Sequence, residues 1–243
     1  MSRRALYALR VVVVVTVVAI LGLGIALVQA FVTPGGGAPR TAAERTILSA
    51  EEAVRANPDD PVARVRLAAA YLEQGSTGMA KEQAELALRI NPEMPDAHFV
   101  LGVALYRTGE SEAAVASLTT AGETEGQFAP FYQEVYIALA GAHEATGDTD
   151  AAIEALNTAM TYGPQNARVY VERGLLFERA ENWYEAAADF AYALIFVSDY
   201  QEAIDGLARI EQSHPEEHAK AVKDVDALRT QLVPHSESTK TAE

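Results

Sequence analysis

The sequence predicts an all-α fold, a solenoid of about four helix-turn-helix units between capping helices, and three observations predict it. Proline recurs at Pro58, Pro92, Pro130 and Pro164, at intervals of 34, 38 and 34 residues. Alanine or glycine returns at the same three offsets in every interval. Composition permits a large helical core, with 49% hydrophobic residues in 243 and only 7% aromatic.

In chain order, residues 1–10 carry Arg3, Arg4 and Arg10, and residues 11–32 form a predicted transmembrane helix. Val11 to Ala30 is apolar except for Thr16 and Gln29, and twenty residues at about 1.5 Å each span about 30 Å of hydrocarbon. Arginines on the N-terminal flank place residues 1–10 in the cytoplasm and the body on the extracytoplasmic side, single-pass at the cytoplasmic membrane. Two readings stay open: a retained signal anchor, or a leader cleaved after Val28-Gln29-Ala30, whose small residues suit a peptidase. Residues 33–43 begin TPGGGAPR, which cannot continue a helix and reads as a flexible linker.

Residues 44–57 place Ile47, Leu48, Ala50, Ala53 and Val54 on one helical face, a half-repeat covering the first full unit. Residues 58–198 hold four units, at 61–92, 95–121, 131–164 and 165–197, with one four-residue insertion between Gly122 and Ala129. The small positions are Ala68, Ala80 and Ala87 in the first unit and Gly102, Ala114 and Ala121 in the second. Ala140, Ala152 and Ala159 follow in the third, and Gly174, Ala186 and Ala193 in the fourth. Two antiparallel helices and the first helix of the next unit approach closely only where Cβ atoms are small. Gly75, Gly109 and Gly147 fall at the turn within each pair, where positive φ is needed.

These offsets identify the chain as resembling the tetratricopeptide-repeat family. Leu67, Leu101 and Leu139 fill one large position, and Leu118, Leu156 and Phe190 another. The fourth unit departs from the pattern: Arg173 replaces a leucine and Glu181 the turn glycine. Arg173 is expected to keep its stem on apolar surface and its head in water, loosening that unit. Residues 199–232 read as two C-terminal capping helices and residues 233–243 (the PHSESTKTAE end) as a disordered tail.

Charge restricts the partners. The net charge is -15, and residues 1–40 contain four arginines and no acidic residue, so the rest carries -19. An acidic body repels nucleic acid and anionic lipid, and favours basic or uncharged protein partners. Cysteine is absent, which removes disulfides, thiolate metal sites and a thiol nucleophile.

No phosphate loop, nucleophile elbow or zinc-protease helix is present, and neither enzyme activity nor a cofactor is expected. His214-Pro-Glu-Glu-His218 matches a metal-site pattern, but Pro215 makes His214 a cap, so the string reads as an acidic first helical turn and no metal is expected. Asp59, Asp60, Glu110, Asp148 and Asp150 sit at helix starts and read as caps. Trp183 reads as packing.

What the resemblance implies is a right-handed superhelix whose inner surface, lined by the first helix of each pair, binds a protein or peptide ligand. Carried onto this chain, the inner offsets are Val65, Ala69 and Leu72, then Phe99, Val103 and Tyr106, then Ile137 and Gly141, then Val171 and Leu175, with Arg168 on the rim. The lysine and asparagine of the carboxylate-clamp variant are missing. An apolar strip rimmed by Glu73, Arg107, Glu144, Arg168, Glu178 and Arg179 suits an amphipathic helix or extended segment. The alternative is a groove filled by the chain's own caps. One anchor followed by acidic repeats also resembles the membrane-tethered repeat subunits of cytochrome c maturation. The function expected is a membrane-tethered scaffold for protein-protein interaction, and the alternative is a homo-oligomer built through the terminal helices.

Overall fold

The computed structural model describes residues 41–232. The expected membrane helix, most of the linker and the tail lie outside the described residues. Among those described, no helix is long and apolar enough to cross a membrane.

The described residues form eleven helices: α1 (Ala42–Ala56), α2 (Pro61–Gln74), α3 (Thr77–Ile90), α4 (Pro95–Thr108), α5 (Ser111–Glu123), α6 (Ala129–Thr146), α7 (Thr149–Tyr162), α8 (Ala167–Arg179), α9 (Trp183–Phe196), α10 (Gln201–Ser213) and α11 (Pro215–Leu232). The chain divides into two units, residues 1–45 and 46–243. In the first, Thr41 and Glu44 form a reciprocal capping box, with N-to-side-chain distances of 3.2 and 3.1 Å.

In the second, helices pair within each repeat as α2/α3, α4/α5, α6/α7 and α8/α9, and each second helix packs on the first helix of the next pair. The small positions are the reason. Ala68, Ala80, Ala87, Ala114, Ala121, Ala152, Ala159, Ala186 and Ala193 have no exposed surface, so backbones meet where Cβ is all there is. Ile47 and Ala50 of α1 cover Leu67, Ala70 and Tyr71, and Glu51 accepts a hydrogen bond of 2.8 Å from the Tyr71 hydroxyl. Burial, then that carboxylate, pushes the Tyr71 phenol up to about 12. At the other end α11 packs on α9 and α10.

The turns repeat one motif. Gly75, Gly109 and Gly147 have φ of 83, 82 and 83°, and the next N-H bonds five residues back, as from Ser76 to Tyr71 O at 2.8 Å. Glu181 does the same work in the fourth unit, at φ 59°, with Asn182 N bonding Phe177 O. A second motif links loop to helix. Arg64 Nε donates to Pro58 O at 2.8 Å, His98 Nε2 to Pro92 O at 2.8 Å and the Tyr170 hydroxyl to Pro164 O at 2.9 Å, always six residues apart. Because a carbonyl only accepts, His98 carries its proton on Nε2, and its buried Nδ1 has no partner.

The third unit breaks that clasp because the insertion is helical. α6 has 18 residues, against 14 in α2 and α4. Four residues are close to one turn, so the added turn leaves the register after it unchanged. Pro130 therefore sits in the first turn of α6, and Tyr136 stacks on Tyr162 instead, ring centroids 5.9 Å apart.

Arg173 corrects an expectation. Its head is not in water: Nε and Nη2 reach the two Asp189 oxygens at 2.8 and 2.6 Å, and Nη1 donates to Asn157. Asp189 is 2% exposed. Burial pushes its carboxyl above the usual aspartate range while the guanidinium pulls it back. The fourth unit is thus joined by an ion pair across α8 and α9 rather than loosened.

Candidate functional site: a cavity between first helices

First helices α2 and α4 pack together, as do α4 and α6, but α6 and α8 do not approach as closely. The polar side chain of Gln133 occupies that junction, donating to Ala159 O and Gly163 O at 3.3 and 2.8 Å and accepting from Asn166 at 3.1 Å. Beside it a cavity of about 500 Å³ opens among α4, α6, α7 and α8.

Seven of the residues expected in the groove meet there. Phe99, Val103 and Tyr106 come from α4, Ile137 and Gly141 from α6, and Arg168 and Leu175 from α8. The other four do not line it. Val65 packs with Ala84, Ala87 and Val100, with Ala69 and Leu72 against that cluster, and Val171 is 1% exposed in the core formed with Phe190. Val65 and Val171 are buried against the second helices of their own pairs, whereas Ala69 and Leu72 stay partly exposed outside the cavity.

The rim is charged and internally paired. Arg168 Nε bonds Glu172 at 2.7 Å and Nη1 lies 3.7 Å from Glu134, while Arg179 pairs with Glu144 at 2.8 Å. Arg107 donates to Leu72 O at 2.8 Å. Burial pushes the Glu172 carboxyl above the ordinary glutamate range; Arg168 opposes this, and Glu134 and Glu144 add to it. Glu178, expected on the rim, instead holds Arg209 of α10 at 2.9 and 2.7 Å. Sequence reasoning missed Glu134 and Glu172. The second was findable, four residues after Arg168 on one helix face.

The arrangement offers an apolar floor with fixed charges around it. His214 lies away from it, its ring stacked on Trp183 at 4.1 Å. Among the described residues no His, Asp or Glu group has metal-holding geometry. Asp60 and Asp148 are caps, accepting from Ala63 N and Ala151 N, whereas Glu110 pairs with Lys81 at 2.7 Å.

Tetratricopeptide-repeat models match residues 62–94, and 79–128 with 137–205. No curated protein matches the sequence. Among solved structures, MamA 41-end from Desulfovibrio magneticus RS-1 aligns with a TM-score of 0.58 at 19% identity, over 67% of this chain and 89% of that one. YrrB, described as a TPR protein with an unusual peptide-binding site, aligns at 0.53 and 13% identity over 76% and 98%. A chain of the Cut9-Hcn1 APC/C hetero-tetramer aligns at 0.64 and 19% identity over 69% and 33%. These likenesses carry the fold, and the repeat models together span more than half of the sequence. The chain belongs to the tetratricopeptide-repeat family.

Proposed function

We propose that this chain is a membrane-tethered scaffold that docks an apolar-faced helix of a partner protein in the cavity between α4, α6 and α8, on the extracytoplasmic side. The observation that carries the reading is the cavity itself. It keeps about 500 Å³ open while α1 and α11 lie against other helices. A pocket of this size, with an apolar floor and charged side chains around it, suits an inserted side-chain cluster flanked by polar groups. The peptide-binding site by which YrrB is described supports the same use of the fold. The tether is supported by the apolar run from Val11 to Ala30. The match is to a repeat family and to no catalytic one.

A photo-crosslinker placed at Val103 in the full chain, in native membranes, tests the docking. An intermolecular adduct is expected; adducts only within the chain refute it. A narrower version, in which the cargo is an apocytochrome bound for haem ligation, rests on the architecture of one anchor and acidic repeats. Its check is whether the adduct contains a haem-attachment sequence.

Self-assembly is the second reading, drawn from Leu48 and Leu228, 43% and 42% exposed on the first and last helices. A constant monomer mass for the full chain in detergent, as concentration rises, removes it.

A further inference from the structure

The inserted turn of α6 carries aromatic residues with different fates. Phe131 turns inward, 8% exposed, and meets Phe99 edge-on at 5.7 Å. Tyr132 donates to Thr124 O at 2.7 Å, accepts from Gln127 N at 3.2 Å and stacks on Tyr162 at 5.0 Å. Those contacts fix the turn in place. Phe128, just before it, is 67% exposed, more than any other large apolar residue described, and lies 6.5 Å from Phe131.

A single exposed apolar ring needs no explanation by itself. This one is linked to the cavity through ring contacts, because Phe99 is part of the cavity wall. From Phe99 through the buried Phe131 to Phe128 the rings form one chain of contacts, whose outer end stands at the start of the lengthened helix.

Charge says what would lie along it. Residues 93–165, which supply α4 to α7, contain eleven acidic side chains and one basic, Arg107. Arg107 is turned onto the Leu72 carbonyl, and Arg168 and Arg179 of α8 are held by Glu172 and Glu144. Glu123 and Glu125 are exposed immediately before Phe128. A segment leaving the cavity toward Phe128 thus passes from a rim whose arginines and carboxylates balance one another to a loop that carries Glu123 and Glu125. An exposed aromatic face beside carboxylates favours a cation above it, and rim charges govern partner choice and association rate.

We infer that the inserted turn is a specificity element: it extends the docking surface from the cavity onto Phe128, and selects a partner helix whose apolar face is flanked by lysine or arginine. This rests on the docking reading proposed above.

The probe is a displayed library of 18-residue amphipathic helices, apolar at i, i+3, i+4 and i+7 with random flanks, selected on the full-length chain in non-ionic detergent. Recovered helices are expected to carry basic flanks and to elute as salt rises. Phe128→Ala, at an exposed site, should keep the helical signal and lower recovery about tenfold, while Phe128→Tyr keeps recovery. Acidic or uncharged flanks, or equal recovery on Phe128→Ala, overturn the inference and leave cavity docking standing. No enrichment above empty micelles overturns both.

Discussion

Replacing Arg173 by leucine restores the residue type found at the same offset in the other three units, and the structure predicts that it destabilises the protein. The change leaves Asp189, at 2% exposure, with its two guanidinium bonds of 2.8 and 2.6 Å gone. Removing one partner of such a pair typically costs about 3–5 kcal/mol, because the other charge stays buried. Asp189→Ala should cost less, about 1–3 kcal/mol, since Arg173 has 19% side-chain exposure and keeps Asn157. The double variant Arg173→Leu, Asp189→Ala recreates the Leu139 and Ala155 of the third unit and should return to within about 1 kcal/mol of the parent. Urea unfolding followed by helical circular dichroism gives the cycle. Amide exchange gives its location: a repeat array loses stability near the altered interface first, so α8 and α9 should lose protection before α2 and α3. A single Arg173→Leu within 1 kcal/mol of the parent, or a double variant no better than that single, refutes the reasoning.

Glu181→Gly should stabilise by about 0.5–1 kcal/mol, because the left-handed turn costs a side-chain-bearing residue more than glycine; its thermal midpoint checks this. His98→Tyr places a hydroxyl where Tyr170 has one and removes the orphaned Nδ1, so it should equal or exceed the parent, whereas His98→Phe should lose about 1 kcal/mol with the clasp. Gly206→Ala puts a Cβ 2.5 Å from the Phe190 ring, which has no exposed surface, and should cost about 1–3 kcal/mol by overpacking, read by urea midpoint. Glu172→Gln tests the raised carboxyl. Its folded pKa lies above the unfolded one, so the charge is a cost at neutral pH that fades as pH falls through the folded value. The glutamine variant should therefore melt slightly higher at pH 7.5, with the gain gone once both states are protonated.

The repeat and its turns were legible in the sequence for a local reason. A close helix contact tolerates only a small side chain, and a left-handed turn prefers glycine, so Ala80, Ala114, Ala152 and Ala186, or Gly75, Gly109 and Gly147, mark the same event in each unit whatever surrounds them. Legibility fell where a residue's role depends on a neighbour that no local rule identifies. Arg173 and Asp189 are sixteen residues apart on different helices, and neither announces the other. The insertion was visible as four extra residues, but whether they form a loop or a turn of α6 is decided by Phe131 finding Phe99 and Tyr132 finding Tyr162. The groove shows the same division. Inward offsets follow from the repeat, so Phe99, Val103 and Ile137 were named from spacing. That Val65 and Val171 are buried against the second helices of their pairs while a cavity stays open beside Gly141 depends on how the helices meet in three dimensions. By itself the sequence determined the unit, its small-residue contacts, its turn glycines and its acidic charge. Only the tertiary structure decided where α6 and α8 part and which side chains meet in the gap, because that spacing is a sum of packing at several interfaces rather than a property of any one segment.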